Sequence, residues 1–197
     1  MSFDDLGEES EFIPLMTSED EEALEKEVLP DVLSILPLTN TVLFPGVVMP
    51  INAGSDKSIK LINDANKSNK LIGVIAQKSP KVENPSIENI HRVGTVAKIL
   101  RVLKMPDGNT TVIIQGKKRF KIKSVVKTDP YIQATIDSVN DKNQKKSNSK
   151  FSATIDAIKD IALKIIKENP NIPSEASFAI KNIHSSAFLI NFVCSNM

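Results

Sequence analysis

The sequence predicts an α+β protein: a small, curled, barrel-like sheet with one helix, followed by an α-helical lobe. Three observations predict it. Between 32 and 139, short apolar runs are broken by Pro, Gly and Asn turns, as in a sheet of several short strands. From 151 onward, apolar residues recur at helical spacing instead. The run 140–150 between them is almost wholly polar, and its Asp, Lys, Asn, Gln and Ser cannot bury surface. The expected organisation is a disordered acidic tail over 1–31, a β-domain over 32–139, a polar linker over 140–150 and the truncated start of a helical lobe over 151–197.

The tail is set apart by charge. Residues 1–31 hold 12 of the 24 Asp and Glu but one of the 25 Lys and Arg, which leaves the remainder at a net +12. Acidic blocks are usually solvated. That favours a solubilising tail, with a short helix over 18–28, over one that folds back to screen the basic body from nucleic acid.

The β-domain opens with an apolar strand over 32–38. A polar break, Thr39-Asn40-Thr41, leads to Val42-Leu43-Phe44 and then to Pro45-Gly46, a pair that stops a strand and turns the chain. A second strand is expected over 47–51. Ser55 then opens a helix to about Asn66, with Ile59, Ile62 and Ala65 at helical spacing and Asp56 four residues before Lys60. The run 71–76 reads as a buried strand, and 78–89, with Pro80 and Pro85, as a loop.

A long strand over 93–104 meets the turn Met105-Pro106-Asp107-Gly108, and a strand over 110–115 returns. In 120–126, Phe120 and Ile122 alternate with Lys121 and Lys123, so one face is buried and the other wet. Ile132, Ala134 and Ile136 alternate likewise in the last strand.

In the helical region, Phe151, Ile155, Ile158, Ala162, Ile165 and Ile166 are assigned to one face. Asn169-Pro170 ends that helix, and Pro173 starts the next in the N1 position, with Glu175 in its first turn. Ser185 begins a third, holding Phe188, Leu189, Phe192 and Val193. No capping signal follows, so the pattern is that of a piece of a longer protein.

Composition bounds the function. At 41% hydrophobic and 25% charged, the 197 residues are an ordinary soluble globular sequence. With one Tyr and no Trp, the core must rely on Ile, Val and Leu. The single cysteine, Cys194, rules out an intrachain disulfide and fits a reducing compartment. The N-terminus lacks the basic and apolar regions of a signal peptide, and no apolar run approaches the roughly 18 residues of a spanning helix. A cytoplasmic location, away from membranes, is expected.

Catalytic chemistry has no foothold. Gly108 and Gly116-Lys117-Lys118 fail as a phosphate loop on spacing, and no Ser or Thr follows the lysines. His91 and His184 are far apart in sequence, and no metal-ligand spacing occurs. Cys194, on an apolar helical face, reads as a small buried hydrophobe. Lys117, Lys118, Arg119, Lys121, Lys123 and Lys127 form a basic run, but no aromatic is interleaved for base stacking, so a solvated strand face is the better reading. Val42-Leu43-Phe44 has two readings: Phe44 plugs the barrel, or the loop is an exposed apolar patch for extended polypeptide.

Three phrases stand in a fixed order: Leu36 to Gly46, Met105-Pro106-Asp107-Gly108, and Gln115-Gly116-Lys117-Lys118-Arg119-Phe120. Together with Gly94-Thr95-Val96-Ala97-Lys98-Ile99, they resemble the N-terminal domain of the ATP-dependent Lon proteases, over roughly 33–197. The resemblance implies a PUA-like β-domain joined to a helical part, and a role in recognising unfolded or damaged proteins. It implies a hexameric parent with an ATPase, using ATP and Mg, and a Ser-Lys peptidase. Neither module is in this sequence, so no catalytic residue, cofactor or metal is expected here. Leu43, Phe44 and Pro45 are the first candidates for substrate contact, and Met105 and Pro106 the second. The alternatives are a stand-alone Lon-domain adaptor or an RNA-binding PUA-like module, though nucleic acid is a disfavoured partner for this region.

Overall fold

A computed structural model describes residues 28–105, 110–139, 149–170, 172 and 175–195. The acidic tail up to residue 27, the turn residues 106–109, Pro173 and residues 140–148 of the polar run lie outside them. Among the described residues six strands and four α-helices follow one another: β1 (Val32–Leu38), β2 (Val48–Ala53), α1 (Asp56–Lys67), β3 (Leu71–Ala76), β4 (Val93–Lys104), β5 (Thr110–Lys127), β6 (Gln133–Val139), α2 (Ser149–Glu168), α3 (Glu175–Asn182) and α4 (Ser186–Ser195). A short 3-10 turn, Ile87–Asn89, interrupts the expected loop.

The sheet closes on itself. β5 pairs with β4, β4 with β3, β3 with β1, β1 with β6, and β6 returns to β5. β1 and β3 run parallel; the other pairs are antiparallel. β2 stands outside this ring, on the first half of β5.

The runs 110–115 and 120–126, expected as two strands, form one strand of 18 residues. Its first half holds β2 and its second half β6, while β4 follows both. Register shifts opposite Thr95/Ala97 and at Ile122/Ser124 and Val125/Lys127 each put an extra residue in β5 and bend it toward its three partners, while the shift at Ile99/Arg101 puts one in β4.

Two cores share the strands because successive side chains take opposite faces. Leu33, Ile35, Ile75, Val96, Phe120, Ile122 and Ala134 form a core to which all five ring strands contribute. Phe120 sits at its centre against Gly73 and Gly94: a Cβ on either glycine would lie 2.8 or 3.1 Å from the ring. The alternate residues Leu36, Val74 and Ala97 join Leu61, Ile62 and Ala65 of α1 in the second core. Helix α1 starts where Ser55 caps it, its hydroxyl accepting the Ser58 N–H at 3.2 Å.

The docked chain begins earlier than residue 32. Leu29 packs on the ring core, and the Asp31 carbonyl accepts the Ile136 N–H at 3.1 Å.

A third core lies among the last helices, from Ile155, Ala162, Ile180, Ile183, Phe188 and Leu189. Ile165 is 39% exposed and does not belong to it. It lies at the margin of the face that carries Ile155, Ala162 and Ile166, and Leu163 packs on the core instead. Ser185 caps α4, as its hydroxyl accepts the Phe188 N–H at 3.0 Å. Cys194 is exposed, contrary to its reading as a buried hydrophobe. It falls on the side of α4 away from Phe188 and Leu189. No described helix is long and apolar enough to cross a membrane.

Candidate functional site

The segment that joins β1 to β2 is built from its main chain. Asn40 takes a left-handed conformation, φ 56°. Phe44, Pro45, Gly46 and Val47 form a turn closed by the Val47 N–H on the Phe44 carbonyl, at 3.2 Å. Proline suits the second position, and the third needs positive φ, which Gly46 supplies at 81°. Gly46 and Val47 then oppose the single residue Gly116. The Gly46 N–H donates to the Gly116 carbonyl at 2.9 Å, and the Gly116 N–H to the Val47 carbonyl at 2.8 Å. This is a β-bulge that starts on a left-handed glycine.

Three successive carbonyls of this segment are held by distant groups or by the turn itself. Leu43 O accepts the buried Thr95 hydroxyl at 2.7 Å. Phe44 O closes the turn. Pro45 O accepts the Asn191 side-chain amide from α4 at 3.2 Å. The Asn191 carbonyl oxygen in turn accepts Arg119 Nη2 of β5 at 2.8 Å. Asn191 is 5% exposed, so a buried amide ties the helical region to the segment and to β5 together.

This geometry corrects one candidate contact. Leu43 is 4% exposed and lies in the core under α1, so its side chain does not face solvent. Leu43 shares that core with Val112 and Ile114, and the Thr95 hydroxyl holds its carbonyl. Phe44 and Pro45 are half-buried, and Phe44 belongs to none of the three cores. It is therefore not the barrel plug either. Val42 is the exposed apolar residue of the segment, at 51%. Met105 is exposed at the end of β4, far from this turn along the strand, and Pro106 lies outside the described residues.

A groove of about 500 Å³ opens beside this segment. One wall is β2, through Met49, Pro50 and Asn52; another is the end of β1 and the residue after it, through Pro37 and Thr39. The start of α1, through Lys57 and Ser58, and Pro85 also line it. Tyr131 stands at the groove and donates to the Asp64 carboxylate at 3.0 Å. Burial, and then the Asp64 carboxylate, push its phenol above the ordinary 10.0. Sequence reasoning missed this groove. Its only signal was a pair of prolines, Pro37 and Pro50, at strand positions where a central strand would not tolerate them.

The basic run lies along β5, with Lys121, Lys123 and Lys127 exposed and Lys123 in an ion pair with Asp137 at 3.8 Å. Among the described residues no group of His, Cys, Asp and Glu is placed to hold a metal ion.

A model of the substrate-binding domain of ATP-dependent protease La (LON) matches residues 32–197, the whole of the barrel and the helices after it. The chain belongs to this family. The Lon protease of Flavobacterium johnsoniae is 60% identical over 197 residues, covering all of this chain and 24% of its own length. That of Cytophaga hutchinsonii is 49% identical over 187 residues, 95% of this chain and 23% of its own length. The chain thus spans about a quarter of the length of these curated relatives. It is the substrate-binding domain and does not include the protease module.

Solved structures agree on the fold. The N-terminal domain of the Mycobacterium avium complex Lon protease superposes with a TM-score of 0.63 at 20% identity, over 82% of this chain and 80% of that one. A Lon N-terminal domain protein from Xanthomonas campestris gives 0.54 at 13% identity, over 84% and 98%.

Proposed function

We propose that this domain takes hold of unfolded or damaged polypeptides and delivers them to the ATPase and peptidase modules of a cytoplasmic, hexameric Lon protease that uses ATP and Mg. The observation that carries this reading is the match of residues 32–197 to the Lon substrate-binding family. The surface fits the task. Exposed apolar residues are scattered, among them Val42, Leu103 and Met105, and the groove beside β2 mixes prolines and Met49 with Asn and Thr. Such a surface holds many sequences weakly, which suits a first grip that must release to a motor.

The test is titration of the domain with a reduced, carboxymethylated model protein and with the same protein in its native form. The expected result is binding of the unfolded form at micromolar Kd, about −8 kcal/mol, and none of the native form. Added salt should change it little, since apolar contacts dominate. Absence of binding to the unfolded form rejects the proposal. Tighter binding to RNA that weakens steeply with salt would favour the nucleic-acid alternative.

A further inference from the structure

β2 is the end strand of the sheet order, paired with β5 on one side only. The phase of its hydrogen bonds is fixed by the bond from Gly116 N–H to Val47 O. In an antiparallel ladder, residues bonded to the partner alternate with residues whose N–H and C=O point away. Counting on from Val47, the residues Met49, Ile51 and Ala53 bond to β5 at Ile114, Val112 and Thr110. Val48, Pro50 and Asn52 therefore turn their main-chain groups outward. Proline fits this phase, because a residue that faces β5 would need an N–H. Pro50 and Asn52 are exposed, Val48 is half-buried, and among the described residues no main-chain group of the three has a hydrogen bond from outside the β2–β5 ladder.

We infer that this outward edge takes up an extended segment of the unfolded polypeptide as an added strand, in the groove between β2 and Pro37 of β1. The inference rests on the proposed capture of unfolded polypeptide and supplies its mode. Val48 and Asn52 each offer a carbonyl and an N–H; Pro50 offers a carbonyl alone. An added strand is bonded fully at both ends of the edge and singly at its centre. The groups being read are main-chain groups. Every unfolded chain has them free, and every folded protein has most of them paired. Selection for unfoldedness without a sequence code follows directly.

The missing donor at Pro50 has two effects. It weakens the added strand, which favours release. It also disfavours the competing occupant, a second copy of this chain. Two β2 edges paired about a two-fold axis at Pro50 would set the two prolines opposite each other and lose both central bonds. A foreign segment loses one. Proline on an open edge is a common guard against self-pairing.

The experiment uses the whole chain and a soluble ten-residue peptide of alternating Thr and Val, without Tyr or Trp. Tyr131, the only tyrosine and a groove residue, reports binding by its fluorescence. A second peptide is N-methylated at every residue, so that it cannot donate along either edge. Binding of the first with at least tenfold loss in the second is expected. Pro50→Val restores an outward N–H and should tighten the first peptide about three- to tenfold, the value of one main-chain bond. Equal binding of both peptides, with no gain in Pro50→Val, overturns the strand mode. If the carboxymethylated protein still binds in that case, capture itself stands. If neither peptide nor carboxymethylated protein binds, both fail. Dimerisation of the unaltered chain through β2 would assign the edge to a second copy and also overturn the inference.

Discussion

The Asn191 amide donates to the Pro45 carbonyl across 146 residues of chain, at 3.2 Å, while its own oxygen accepts from Arg119. A single buried side chain in the last helix thereby fixes the turn that feeds β2, and with it one end of the proposed peptide edge. Asn191 is the polar residue within the apolar run Phe188 to Val193. Burial on an apolar helix is costly for an amide unless both ends are bonded.

Asn191→Leu should therefore destabilise the domain by about 1–3 kcal/mol, the cost of leaving buried partners without their bond. Hydrogen exchange gives the sharper readout. The Gly46 N–H, bonded to Gly116, should exchange faster in the variant, while amides of β3 stay as protected as before. Equal change across both would mean that Asn191 serves only the stability of its helix.

Gly116 stands under the Phe44 carbonyl so closely that a Cβ would lie 2.1 Å from the oxygen and 2.9 Å from its carbon. The obstacle is backbone, pinned by the turn and the bulge, so it cannot swing away as a side-chain tip would. Gly116→Ala should cost about 3 kcal/mol or a little more, the upper end for overpacking. Gly54→Ala is the control. Nothing stands within 4 Å of a Cβ there and its φ is not left-handed. It should leave the domain unchanged or stabilise it by about 0.4–1 kcal/mol through the unfolded chain. Urea midpoints of the two variants check both numbers. Similar midpoints would show that the Gly116 contact relaxes freely.

The same contact explains what sequence could and could not show. The strand periods, the capped helix after Ser55 and the antiparallel return from β4 to β5 are local patterns, and they were legible. The continuity of β5 was not, because Gly116 looks like a strand breaker. Its reason for being glycine is a carbonyl more than seventy residues earlier. Leu43 was misjudged for a related reason. A Pro-Gly turn says where the chain reverses but not which neighbour faces inward; that depends on core residues far along the chain, Val112 and Ile114 among them. The groove edge was hidden because strand patterns reveal burial of side chains and not which main-chain groups lack a partner.

Tyr131 offers a prediction that needs no stability measurement. Burial, chiefly, and the Asp64 carboxylate favour its neutral form, so the tyrosinate absorbance of the folded chain should rise with a midpoint above 10.0. With no Trp and no second Tyr, the signal belongs to one residue. Asp64→Asn should lower the midpoint, since the carboxylate adds to the rise that burial causes. The sign for stability follows. A raised folded pKa means that the contribution is complete below the unfolded value near 10 and is lost as pH rises through the folded one. A midpoint at or below 10.0 would show the phenol to be freely solvated, and the groove wall looser than described.

Phe120 is the strongest test of the ring. It is fully buried, meets Gly73 and Gly94, and stands where β5 passes from its β2 half to its β6 half. Those glycines leave the ring its room, and having no side chains they cannot move into the space that an alanine would leave. Phe120→Ala should cost about 3–5 kcal/mol. Phe120→Leu should cost less, because part of the volume remains. The loss should fall on the ring and not on the helical core, whose residues Ile155, Ile180, Phe188 and Leu189 it does not join. Exchange protection read helix by helix separates the cases. If α2 to α4 open together with the ring, the tie through Asn191 and Arg119 makes the domain one cooperative unit; if they stay closed, the helices fold on their own core.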